Sequence, residues 1–122
     1  YILYPLGIKE MKLGRNYFEN KAENEAVYFN PFSKTPLFTL DNNVNGETIN
    51  IEAMDAHGGW IASAEELILF LNGIKNEKII KSETATLMLQ SSTQNPNYAK
   101  GWFVNDVGNI WHTGSLKGAS SM

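Results

Sequence analysis

The sequence predicts an α+β fold, with packed helices and an antiparallel sheet, in a single partial domain spanning residues 1–122. Two observations lead to that class. Apolar residues recur at helical spacing between Leu67 and Ile74, behind a strong helix-start signal. In the last third, two aromatic-rich runs flank a turn signal and read as a hairpin. The composition agrees: 43% of the residues are hydrophobic and 19% charged, as in a globular chain long enough to bury a core.

Each element has its own signal. Residues 1–16 read as the end of a helix, broken at Pro5 and Gly7, and then a loop through Gly14. Glu25-Ala26-Val27-Tyr28-Phe29 is rich in β formers and closes at Asn30-Pro31, so it reads as a short strand. Residues 30–50, with Pro31, Pro36 and Gly46, read as a long loop, and Ile49 to Met54 as extended chain. In His57-Gly58-Gly59-Trp60 the paired glycines permit a tight turn with positive φ.

Ser63-Ala64-Glu65-Glu66 has the form of a capping box, in which the Ser63 hydroxyl and the Glu66 carboxylate each accept from the other's backbone N–H. That role, together with the favourable end of the helix dipole, accounts for both glutamates. Leu67, Ile68, Phe70, Leu71 and Ile74 then form one apolar face, and Gly73 is expected to end the helix. A second helix is expected to start with Ser82 as its N-cap, to hold Leu87, Met88 and Leu89, and to end before Asn95-Pro96.

Gly101-Trp102-Phe103-Val104 and Ile110-Trp111-His112-Thr113 flank the turn Asn105-Asp106-Val107-Gly108-Asn109. Large apolar groups on both faces of the first strand predict cover on both sides, as in the middle of a sheet packed by helices. Gly118 to Met122 reads as a strand just starting, and Ile2, Leu3 and Leu6 as the tail of a helix. Both ends break off in mid-pattern, so the chain is expected to be a piece of a longer protein. Strand edges left unpaired in such a piece predict self-association.

Several classes are excluded. A net charge of −3 without a Lys/Arg cluster makes a poor nucleic-acid partner. No apolar run is long enough to span a membrane. Without cysteine there is no thiolate chemistry and no disulfide, which leaves the compartment undetermined. His57 and His112 are the two histidines, and no third ligand stands at a metal-binding spacing, so no metal or other cofactor is expected. His57 reads as a loop residue, Lys117 as a solvated cation, and Trp60, Trp102 and Trp111 as packing residues.

The chemistry concentrates in Trp111-His112-Thr113-Gly114-Ser115. An imidazole and two hydroxyls flank a glycine at the exit of a strand, where another backbone can approach closely. Around it, Pro5-Leu6-Gly7, Leu13-Gly14, Gly58-Gly59-Trp60-Ile61-Ala62-Ser63-Ala64-Glu65-Glu66-Leu67, Gly101-Trp102-Phe103-Val104 and His112-Thr113-Gly114-Ser115-Leu116-Lys117-Gly118 follow one another in order. This ordered set resembles the later part of the serine β-lactamase-like family, which includes class C β-lactamases, penicillin-binding DD-peptidases and related esterases.

The resemblance implies a fragment of the β-lactamase/transpeptidase-like fold acting on a small-molecule or peptide acyl substrate through an acyl-enzyme. It implies that His112, Thr113 and Gly114 line one wall of the cleft and that the Ser115 backbone N–H serves the oxyanion hole. Many members of the family act at the cell envelope.

The sequence also departs from the family. No serine is followed three residues later by lysine, so the nucleophile motif of the family is not in this chain. Tyr28-Phe29-Asn30 fits the family's Y-x-N motif but lies out of order, and reads as strand and turn. Histidine stands where many members carry lysine. An imidazole is mostly neutral at pH 7, which favours an esterase, amidase or peptidase over an efficient β-lactamase. A relative without catalysis, serving as a binding or scaffolding module, is the alternative.

Overall fold

The computed structural model describes residues 1–29, 36–37, 50–116 and 118–122. In chain order the elements are β1 (Lys12–Leu13), β2 (Tyr28–Phe29), β3 (Pro36–Leu37), α1 (Ile51–Met54), β4 (Trp60–Ile61), α2 (Ala64–Lys75), α3 (Ser82–Leu89), β5 (Phe103–Val104), β6 (Ile110–Trp111), β7 (Gly114–Leu116) and β8 (Ala119–Ser121). Helices and antiparallel strands together make the protein α+β. Among the described residues the strands form four two-stranded antiparallel ladders, β1–β4, β2–β3, β5–β6 and β7–β8, in place of the single sheet expected. The described residues fall into two compact units: Tyr1–Lys9 with Ala64–Thr113 and Met122, and Glu10–Ser63 with Gly114–Ser121.

The first unit is built on α2. Its start agrees with the sequence, since Ser63 directly precedes the helix and Glu66 is buried in its first turn. Its end does not. Gly73 lies inside the helix, where the methyls of Leu6 would stand 2.7 and 2.8 Å from a Cβ and that of Ile79 at 3.0 Å. A glycine there lets the 3-10 turn Tyr4–Leu6 approach the helix axis.

The helix ends two residues later. The Lys78 N–H donates to the Gly73 carbonyl (2.9 Å) and the Glu77 N–H to the Ile74 carbonyl (3.2 Å), the two bonds of a Schellman motif. The left-handed position of that motif, usually glycine, is held by Glu77 at φ 58. Leu69, Phe70 and Ile74 are half-buried, whereas Leu67, Ile68 and Leu71 are exposed, so the apolar face is only partly covered. Ile8, 2% exposed, is the buried large hydrophobic residue among those described.

The second of the two helices expected from the sequence, α3, has Lys81 rather than Ser82 at its N-cap, with no side-chain cap. Ser82 is its first helical residue, and its carbonyl accepts from the Thr86 hydroxyl at 2.9 Å. The other end is closed from outside. The Lys100 N–H donates to the Met88 carbonyl (3.0 Å), and Lys100 Nζ to the carbonyls of Leu87 (2.8 Å) and Gln90 (3.4 Å). These bonds satisfy carbonyls that the helix leaves open and set a cation at the negative end of its dipole.

In the second unit, β1 pairs with β4 in the register Lys12↔Ile61 and Leu13↔Trp60. The helix end and loop expected over residues 1–16 become the 3-10 turn Tyr4–Leu6 and, within the loop, the short strand β1; Trp60 is exposed, not packed inside as expected. One further bond, from the Gly14 N–H to the Gly59 carbonyl (2.7 Å), brings two glycine backbones together.

Residues 51–54, expected extended, are helical. Asn50 caps α1 by accepting from the Ala53 N–H at 3.0 Å, and Glu52 sits in the first turn. Asn16, 3% exposed, holds this turn from a distance. Its amide donates to Asn50 Oδ1 and Glu52 Oε2, both at 2.9 Å, and its Oδ1 accepts from the Glu52 N–H at 3.3 Å. Arg15 adds an ion pair to Glu52 at 3.1 Å.

The strand expected over 25–29 narrows to β2, which pairs with β3. The remainder of the long loop expected over 30–50, save Asn50, lies outside the described residues. Gly58 has the positive φ expected of its turn, 154°. Among the described residues, no helix is long and apolar enough to cross a membrane.

Candidate functional site

The hairpin that leads to His112 is close to the sequence reading. β5 and β6 pair as Phe103↔Trp111 and Val104↔Ile110. Asn105 shapes the turn: its side chain accepts from the Asn109 N–H at 2.9 Å, and its carbonyl from the Gly108 N–H at 3.0 Å. The ladder is shorter than expected and ends at Trp111, leaving His112 and Thr113 beyond it.

On its other edge β5 meets the segment just upstream. Tyr98 bridges Phe103, the Ala99 N–H donates to the Trp102 carbonyl at 2.7 Å, and the Val104 N–H to the Asn97 carbonyl at 3.0 Å. Both edges of β5 are therefore paired. Its faces are not covered to the depth predicted, since Trp102, Phe103 and Val104 are all half-buried.

The pairing lines up aromatic rings. Phe103 stacks on Trp111 with centroids 5.7 Å apart, and Tyr98 meets Phe103 edge-on at 4.9 Å. His112 joins them: Tyr98 Oη and His112 Nε2 are 3.1 Å apart, and the imidazole lies 5.7 Å from the Phe103 ring. In a continuing strand the side chains of residues 111 and 112 would face opposite ways. Here both rings neighbour Phe103, so the backbone leaves strand geometry at His112.

Sequence reasoning missed Tyr98. The signal was the Gly101 turn, which makes residues 97–104 a hairpin and sets position 98 opposite 103. An open groove of about 380 Å³ in this unit, lined by Leu89, Pro96, Asn105, Asp106 and Ile110 among others, does not include His112.

Gly114 opens β7, which belongs to the second unit and pairs with β8 as Gly114↔Ser121, Ser115↔Ser120 and Leu116↔Ala119. The strand expected from Gly118 onward is thus β8. Only two residues separate Leu116 from Ala119, and Gly118 takes φ 76 between them. Across so short a connection Leu116 and Ala119 can pair only as a hydrogen-bonded pair. In an antiparallel ladder the pairs alternate, so Ser115 and Ser120 form the non-hydrogen-bonded pair. The N–H and the carbonyl of Ser115 therefore both point away from β8.

Of the predicted site residues, His112 and Thr113 lie in the first unit and Gly114 and Ser115 in the second; all four are exposed. His57 is an exposed residue of a 3-10 turn, Asp55–His57. Among the described residues, no group of three or more His, Asp or Glu side chains comes together as a metal site would require.

Tyr28 is poorly suited to act as a base. Its hydroxyl donates to Glu25 Oε1 at 3.1 Å. Burial, then the charge of Glu25 and this bond, push the phenol up to about 12. In an absorbance titration of the phenols Tyr28 is expected to ionise at about pH 12, and Glu25→Gln to bring it down. The folded state holds this proton more tightly than the unfolded chain, with its ordinary value of 10.0. The contribution to stability is therefore whole below about pH 10 and disappears as the pH rises through 12. An ordinary phenol value for Tyr28 would contradict this. No family model, no curated protein and no solved structure matches the chain.

Proposed function

We propose that the chain forms part of a β-lactamase-like serine hydrolase that acts through an acyl-enzyme on an ester, amide, peptide or β-lactam, and that it supplies the His112-Thr113-Gly114 wall of the cleft. The observation that carries this reading is the register of β7, which turns the Ser115 N–H away from β8 directly after that tripeptide. A backbone donor fixed in a strand stabilises a developing oxyanion without reorganising, and one such donor is typically worth about 3 kcal/mol. The ordered motifs from Pro5 to Gly118 support the same reading.

The chain has no serine followed three residues later by lysine, so on this reading the nucleophile and its base lie elsewhere in the natural polypeptide. Residues 1–122 are accordingly expected to be inactive by themselves. The test is to incubate the natural polypeptide containing this segment with a fluorescent penicillin and, separately, with a fluorophosphonate, and to map any adduct by mass spectrometry. An adduct on a serine outside residues 1–122, with the isolated chain unlabelled, is the expected result. Folded natural polypeptide that takes neither probe would overturn the hydrolase reading in favour of a non-catalytic binding module.

A further inference from the structure

We infer that Tyr98 is a positioning residue for His112: its hydroxyl donates to Nε2 and so fixes the imidazole proton on Nδ1. The 3.1 Å separation of Oη and Nε2 leaves two arrangements, O–H···N or N–H···O. The first is the stronger. A phenol is a better donor than a neutral imidazole N–H, and the imine-type ring nitrogen is a better acceptor than a phenol oxygen.

The hydroxyl is also held where it is needed. Tyr98 bridges Phe103 through the backbone, its ring meets the Phe103 ring edge-on at 84°, and its N–H donates to the Asn95 carbonyl at 3.3 Å. A tyrosine anchored at both ends has little freedom to lose when it bonds the histidine. Among the described residues it is the hydrogen-bond partner that the imidazole has.

With Nε2 taken, the polar group that His112 has left to offer is a neutral Nδ1–H. Such a donor suits the carbonyl oxygen of an ester or amide, whereas a permanent cation would suit a carboxylate. That use of the N–H by a substrate rests on the hydrolase reading; the tautomer itself does not.

The experiment is carried out on the 122-residue chain with 15N-labelled histidine, at a pH where the imidazole is neutral. Long-range proton–nitrogen correlations identify which ring nitrogen carries the proton. For His112 the Nδ1–H form, the minor one in free histidine, is expected to dominate. Tyr98→Phe keeps the ring against Phe103 and removes only the hydroxyl, so it is expected to invert the ratio in favour of Nε2–H. His57, exposed in the other unit, serves as the internal reference and is expected to keep its ratio. A dominant Nε2–H form in the unsubstituted chain, or a ratio unmoved by Tyr98→Phe, would overturn the assignment. Neither outcome depends on catalysis, so this inference and the hydrolase reading fail separately.

Discussion

Gly59→Ala is expected to lower the unfolding free energy by about 3 kcal/mol, the upper end of the usual cost of overpacking. A Cβ at this position would stand 2.6 Å from the Ile51 carbonyl oxygen, 3.0 Å from the Asp55 nitrogen and 3.2 Å from the Asp55 oxygen. All three are main-chain atoms, so no rotamer change relieves the clash. The segment cannot simply back away either. The Gly59 N–H is bonded to the Asp55 carbonyl at 2.9 Å, and the Gly59 carbonyl accepts from the Gly14 N–H at 2.7 Å. Asp55 is itself strained, at φ 41, and has little room to absorb a shift. Urea denaturation checks the expectation: the midpoint should fall while the slope stays constant, because the surface exposed on unfolding barely changes. An unchanged midpoint would mean that the turn is looser than its hydrogen bonds indicate.

Asn16→Leu is expected to cost about 2–3 kcal/mol, since it puts an apolar side chain in a buried site that holds an amide and removes three hydrogen bonds, one of them to a carboxylate. Asn50 Oδ1 would keep the Ala53 N–H, but Glu52 would lose the amide on its carboxylate and the acceptor for its own N–H. Asn16→Asp separates volume from chemistry. It keeps an acceptor for the Glu52 N–H yet sets a second carboxylate against Glu52 Oε2. The loss at neutral pH should therefore match or exceed that of the leucine variant and shrink on acidification, as protonation of one carboxyl removes the repulsion. A pH-independent loss would assign the effect to shape alone.

The hairpin of β5 and β6 was legible because its signals are local: a turn rich in Asn and Gly between β-forming runs. The start of α2 was legible for the same reason, through Ser63 and Glu66. What escaped the sequence depends on partners far along the chain. Gly73 looks like a stop because glycine is a poor helix former, yet its small size is what Leu6 requires. The true stop places a glutamate in a left-handed position, which no residue-type rule would flag. The helix α1 hid behind two β-branched residues, Ile49 and Ile51. Asn50 works as its cap with the amide of Asn16 held against it, 34 positions away. Strands of two residues are too short for alternation to reveal. At the candidate site the tripeptide was visible, but the tyrosine bonded to its histidine was not, because only the fold of residues 97–104 brings it there.

The double grip of Lys100 on α3 bears on how the first unit opens. Its backbone N–H and its ammonium hold three carbonyls at the end of α3, and the residue lies in the turn that feeds β5. Neither element can fray far at that junction without breaking the other's bonds. In hydrogen–deuterium exchange the amides of the last turn of α3 and those of Ala99, Lys100 and Val104 are therefore expected to exchange together, in one cooperative opening event. Salt, by weakening the hold of the ammonium, would speed exchange at both together.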